Sequence, residues 1–142
     1  MNDDLKKAKD LLLDSEYTCV LCKGDSVLTS TERGVKPLIG WLNAETELKG
    51  YCAADKIVGK AAAFLYVLLG VDTVYAQIMS EAAIDTLTKY GIEYIYDLSV
   101  ETIKNRSNTG ICPMEEAVFD IDNTDDALKA IKRKIKQMMI SS

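Results

Sequence analysis

The chain of 142 residues contains no histidine. That absence removes the commonest metal ligand and the side chain most often used as a general base near neutral pH. Ser-His and Cys-His nucleophile pairs are excluded with it. Proline is nearly as scarce: two prolines and eight glycines leave no stretch of linker composition, so residues 1–142 read as one domain. Positive charge is in deficit, with 17 Lys and Arg against 22 Asp and Glu for a net charge of -5. Affinity for a nucleic-acid backbone rests mostly on Lys and Arg neutralising phosphates, so this balance predicts no nucleic-acid partner. Long apolar runs are missing too. The longest, Ala61 to Val71, falls well short of the ~20 residues of a membrane span, which predicts no membrane partner. The opening MNDDLKKAKD alternates acids with bases and lacks the basic-then-apolar order of a secretory signal. The expected location is therefore cytoplasmic, and the four cysteines read as thiols instead of a disulfide framework.

What is present is a chain with 48% hydrophobic residues, enough for a core that folds alone. Asp3 or Asp4 can cap a first helix with Leu5, Ala8 and Leu12 on its apolar face. Tyr17 to Lys23 is rich in β formers, apolar on both faces and so expected inside a sheet, and Lys23-Gly24-Asp25 turns it into Ser26 to Ser30 as a hairpin. Pro37 suits the first position of a short helix carrying Leu38, Ile39, Trp41 and Leu42. A longer helix is predicted from Asp55 to Leu69, stopped by Gly70. Val71 to Met79 follows as a strand, Ser80 caps a helix to Tyr90, and Glu93 to Leu98 is a further strand. Pro113 opens a short helix after the polar loop Asn105 to Gly110. The last helix starts at Thr124, with Leu128, Ile131, Ile135 and Met138 as its buried stripe and a run of Lys and Arg as its solvated face. Strands alternating with helices after an initial hairpin predict a three-layer α/β/α domain with a mixed sheet.

The pair Gly59-Lys60 invites comparison with a phosphate-binding loop. The spacing fails: the glycine five residues earlier and the hydroxyl just after are replaced by Ala54 and Ala61. A helix from Asp55 would nevertheless bring Asp55, Lys56 and Lys60 to one side, with Gly59 leaving that side open. Two lysines in the first turns of a helix are opposed by its positive end. Either Asp55 and Glu115 act as counter-ions on a solvated face, or lysines, backbone N–H groups and the Ser80 helix start converge on a phosphate or carboxylate.

The order of elements resembles the cytidine deaminase-like fold. In the zinc enzymes of that fold one helix opens with His-Ala-Glu or Cys-Ala-Glu and a second with Pro-Cys-x-x-Cys. Laid on this chain, those motifs fall at Ala53-Ala54-Asp55 and Met79-Ser80-Glu81-Ala82-Ala83, where the zinc ligands are missing. More closely, "ADKIVGKAAAFL", "VYAQIMSEAAIDTL" and "NRSNTGICPMEEAV" resemble domain-of-unknown-function family 1893, a family described as having this fold without the zinc. With the hairpin, the resemblance spans roughly Tyr17 to Asp120 and implies a fold, no metal or other cofactor, and no settled activity.

Three constellations remain as candidates. Asp55, Lys56, Lys60, Ser80, Asn105 and Arg106 form an expected binding site for a small anionic, nucleotide-like ligand. Cys112, just ahead of a Pro-started helix, is the candidate nucleophile of an alternative enzyme reading, with Glu115 or Lys56 as helper, although it equally suits a packing role. Cys19-x-x-Cys22 is a weak zinc signal, because side chains three apart in a strand point to opposite faces. A third reading makes the protein a non-catalytic interaction scaffold, and homo-oligomer formation is left open.

Overall fold

Gly24 and Asp25 close a two-residue turn between β1 (Cys19–Lys23) and β2 (Ser26–Ser30), with Gly24 at φ 57 supplying the left-handed step that such hairpins need. The computed structural model describes residues 2–105 and 107–141. Ahead of the hairpin runs α1 (Asp3–Asp14); after it come α2 (Lys36–Asn43), β3 (Cys52–Val58), α3 (Lys60–Leu69), β4 (Thr73–Ser80), α4 (Glu81–Lys89) and β5 (Glu93–Val100). The chain ends in α5 (Pro113–Ala117) and α6 (Thr124–Ser141). The five strands form one mixed sheet in the order β2-β1-β3-β4-β5. β1 pairs antiparallel with both β2 and β3, while β3, β4 and β5 are parallel.

Parallel neighbours require crossovers, and α3 and α4 supply them. The strand order advances in one direction, so right-handed crossovers put both helices on the same face. That face buries the larger core, with Leu21, Ala53, Val74, Phe64, Leu65 and Leu87 at its centre and α2, α5 and α6 around it. Among the described residues the other face is covered by α1, whose Leu5, Ala8 and Leu12 pack on Val20, Cys22, Cys52, Ala54 and Tyr75. The domain thus has the expected three layers, one of them a single helix.

Several elements differ from the sequence expectation. The helix expected from Asp55 begins only at Lys60, and Cys52–Val58 is the central strand of the sheet. Alanine has a high helix propensity, yet Ala53 and Ala54 are fully buried between neighbouring strands, where a small side chain lets a helix pack closely on each face. The first zinc motif, at Ala53-Ala54-Asp55, therefore falls on a strand; the helix start that follows β3 is Gly59-Lys60-Ala61. The cap of α1 is Asn2, whose Oδ1 accepts from Leu5 N at 2.7 Å, and not Asp3 or Asp4. Met138 is 46% exposed, so the buried stripe of α6 is Ala127, Leu128, Ile131 and Ile135. Where expectation and structure agree, the reasons are local. Ser80 caps α4 by accepting from Ala83 N at 3.1 Å, and β1 is buried along Cys19 to Cys22 between two strands.

Candidate functional site

The parallel strands β3, β4 and β5 end at one edge of the sheet, where α3 and α4 begin. Such an edge is the usual place for a site in an α/β domain. Here the segment from Glu101 to Phe119 crosses it. Cys112 N donates to Ile103 O at 2.9 Å and Lys104 bridges Ile111, which folds the segment back on itself and delivers α5 to the start of α3.

Glu115 is the side chain that α5 brings there. It is 8% exposed, and its Oε1 accepts from Ala61 N at 3.4 Å, within the first turn of α3. Gly59 makes this approach feasible, since a Cβ on it would stand 2.6 Å from the Glu115 carboxyl carbon and nearer still to Oε1. Burial raises the Glu115 pKa above the ordinary glutamate value, while the Ala61 and Lys60 N–H groups and the Lys60 ammonium pull the other way. Of the two alternatives the sequence left open at this helix start, a counter-ion from within the chain or an external anion, Glu115 supplies the first. Glu115 is thus buried against the first turn of α3, away from solvent.

Asp55 is turned into the core and away from solvent. It is buried at 9% exposure on β3, and Tyr66 Oη, from the interior of α3, donates to its Oδ2 at 2.7 Å. Its Oδ1 accepts from Ile57 N at 3.4 Å. Cys19 Sγ lies 3.2 Å from the same Tyr66 hydroxyl, completing a buried row of thiol, phenol and carboxyl. Burial raises the Asp55 pKa to about 7, only partly offset by the Tyr66 hydroxyl and the backbone N–H groups of Ile57 and Lys56. Burial and the neighbouring Asp55 likewise push Cys19 well above the usual thiol value. The sequence reading missed Tyr66 and Cys19 as partners of Asp55. The available signal was a tyrosine inside the run AAAFLYVLLG, because a phenol buried among alkyl groups needs a hydrogen-bond partner.

The other expected site residues are dispersed. Lys56 is exposed, next to Asp55 in sequence but on the solvent side of β3. Ser80 is fully buried and its hydroxyl is engaged with its own helix. Asn105 is committed to its loop, accepting from Thr109 N at 2.9 Å and donating to Thr109 Oγ1 at 3.2 Å. Arg106 lies outside the described residues. Cys112 occupies the cap position of α5 and is the one of the four cysteines that is not buried. Lys60 is the expected residue that does reach an open space. Its Nζ donates to Phe119 O at 3.0 Å and lies 5.8 Å from the centre of the Phe64 ring.

That space is a groove of about 200 Å³ between α3, α4 and the segment leading to α6, lined by Lys60, Phe64, Asp85, Thr86, Lys89 and Tyr90 among others. Lys89 Nζ donates to Asp122 O at 2.5 Å and lies 5.4 Å from the centre of the Tyr90 ring. Phe64 is fully buried and meets Tyr90 edge to face with their centres 6.4 Å apart, so the half-buried Tyr90 carries the aromatic surface on this side of the groove. Two lysines from different helices thus line one groove. Lys89 had no place in the sequence reading, since a lysine in the last turn of a helix is ordinarily explained by the helix dipole.

The two helix starts at the sheet edge do not fit a zinc ion. They present Gly59, Lys60, Ala61, Ser80 and Glu81, and among the described residues no three Asp, Glu or Cys side chains gather closely enough to hold a metal.

Comparison with known proteins agrees with the architecture. A crystal structure of a DUF1893 family protein, TM1506 from Thermotoga maritima, superposes with a TM-score of 0.87 at 24% identity, covering 94% of this chain and 92% of that one. The apo dCMP deaminase from the cyanophage S-TIM5 superposes loosely, with a TM-score of 0.43 at 15% identity over 70% of this chain and all of that one. No curated protein matches the chain. The family model for TM1506, a domain of unknown function (DUF1893), matches residues 7–135, and the chain belongs to that family.

Proposed function

We propose that this domain binds a small anionic ligand with nucleotide-like character in the groove between α3 and α4. The observation that carries the reading is that Lys60 and Lys89, from different helices, line one groove beside the ring of Tyr90. Each ammonium gives one hydrogen to a backbone carbonyl, Phe119 O or Asp122 O, which leaves two donors on each for a ligand oxygen. The partners also hold the lysines in place, so little rotamer freedom is left to lose on binding. Asp85 and Asp122 line the same groove and disfavour a bare dianion. They suit a ligand that carries N–H donors beside its anionic group, as a nucleobase does. The volume, about 200 Å³, is below the roughly 300–1,000 Å³ of a site for drug-sized ligands, so the groove would take the anionic group and one ring edge and leave the remainder in solvent.

Thermal melts test this. Inorganic phosphate, pyrophosphate, nucleoside monophosphates and dicarboxylates are added to wild type and to Lys60→Ala/Lys89→Ala, each compared with its own melt in chloride of equal ionic strength. A ligand at a hundredfold its Kd stabilises the native state by about 2.7 kcal/mol. The shift is expected in wild type and absent in the double variant. An equal shift in both, or none with any probe, removes the proposal.

A further inference from the structure

We infer that Cys22 and Cys52 constitute a reversible disulfide site beneath the first turn of α1. The two residues are directly opposed partners in the antiparallel ladder of β1 and β3, and both belong to the small core under α1. Opposed Cβ atoms on one face of such a ladder lie about 4.5–5.5 Å apart, and a disulfide needs about 3.5–4.5 Å, so closure takes an approach of about 1 Å. Cys19 and Cys22, three apart on one strand, point to opposite faces and cannot pair with each other. Cys19 points into the opposite core, against Tyr66.

The cover over the pair is thin. Asn2 Nδ2 donates to Cys52 Sγ at 3.4 Å while Asn2 Oδ1 caps α1. Asn2 also lines an open cavity of about 470 Å³ with Asp72 and Thr73. Helix ends open at low free-energy cost, and Leu5 and Ala8 of this end belong to the same small core as both cysteines. With α1 closed, burial raises the pKa of both thiols, and for Cys22 the Lys7 ammonium offsets part of this. The site is therefore inert when covered and reactive when the first turn lifts.

The chemistry is exchange with a small-molecule disulfide. One cysteine loses its proton, its thiolate attacks a reagent sulfur, and the expelled thiolate is protonated. The second cysteine then loses its proton and attacks the protein-bound sulfur, expelling the second reagent thiol. Two electrons and two protons leave the protein, one S–S bond forms in it, and one reagent S–S bond becomes two thiols.

To test this, the native chain is incubated with oxidised glutathione, free thiols are blocked in denaturant without reductant, and the digest is read by mass spectrometry. The expected product joins the peptide of Cys22 to that of Cys52, with backbone fragmentation placing the bond at Cys22 and Cys19 recovered as a blocked thiol. In Cys22→Ser, glutathione should remain trapped on Cys52. Asn2→Ala, which removes the cap, should accelerate closure in otherwise wild-type protein several-fold. A bond to Cys19 or Cys112, a bond between chains, glutathione retained on wild-type Cys52 without closure, or closure only in denaturant each overturns the inference. An unchanged or slower rate in Asn2→Ala overturns it too.

Discussion

Replacing Asp55 by asparagine should make this protein more stable at mildly alkaline pH, although the carboxyl is buried and hydrogen-bonded. Burial lifts its pKa from 3.8 to about 7. Since the folded-state value lies above the unfolded one, the folded chain holds this proton more tightly. The associated stability is complete below about pH 4 and is withdrawn as pH rises through about 7. At about 1.36 kcal/mol per pKa unit, the ionised carboxylate costs the native state about 4 kcal/mol at pH 8. Asparagine keeps the shape and keeps an acceptor for Tyr66 Oη, but turns a donor toward Ile57 N, a loss of about 1 kcal/mol. The net gain is about 3 kcal/mol, or roughly 10 °C in Tm for a chain of this size. Near pH 4, where wild-type Asp55 is protonated, the variant should instead be equal or about 1 kcal/mol less stable. Urea melts of both proteins across this range measure the difference directly, and titrations common to both cancel. A difference that does not vary with pH, or a variant less stable than wild type at pH 8, would refute the reasoning.

Gly59→Ala should destabilise the fold by about 1–3 kcal/mol, because the new methyl group displaces the Glu115 carboxyl from the start of α3. Adding Glu115→Ala should cost less than the sum of the single effects, and strict additivity in denaturant melts would show that the two positions do not meet. Under native conditions at neutral pH, limiting iodoacetamide should modify Cys112 before the other three, since it alone is not buried and burial raises the pKa of Cys19, Cys22 and Cys52. Peptide mapping that finds any of those three labelled first would contradict the packing described for them.

The elements that were legible in sequence carry their own local instructions. Gly24-Asp25 specifies a hairpin turn, Ser80 a helix cap, and the apolar positions of α1 a single buried face. The Cys52–Val58 strand carries none. Its alanines and lysine suit a helix, and its extended form comes from β1 and β4 on either side, partners a single sequence does not display. That error propagated into the site: one helix from Asp55 would have aligned Asp55, Lys56 and Lys60, whereas a strand followed by a helix sends them to three surroundings. The sequence offered Asp55 and Glu115 together as counter-ions for the helix start; Glu115, 54 residues away, takes that place, whereas Asp55 is drawn into the core by Tyr66, a pairing that local patterns do not display.

The one-directional winding of β3, β4 and β5 carries a consequence for the field around the domain. Because α3 and α4 both return antiparallel to the strands on the same face, they run side by side in the same sense, and their peptide dipoles add. One edge of the sheet is therefore positive and the other negative before any side chain is considered. Glu115 at the start of α3, Glu81 in the first turn of α4 and Lys89 in the last turn of α4 are charges set against that polarity. Two like-oriented dipoles packed together also repel each other, so these side chains lower the electrostatic cost of the topology. Removing one of them changes how well the two helices tolerate being neighbours as well as its own local contact.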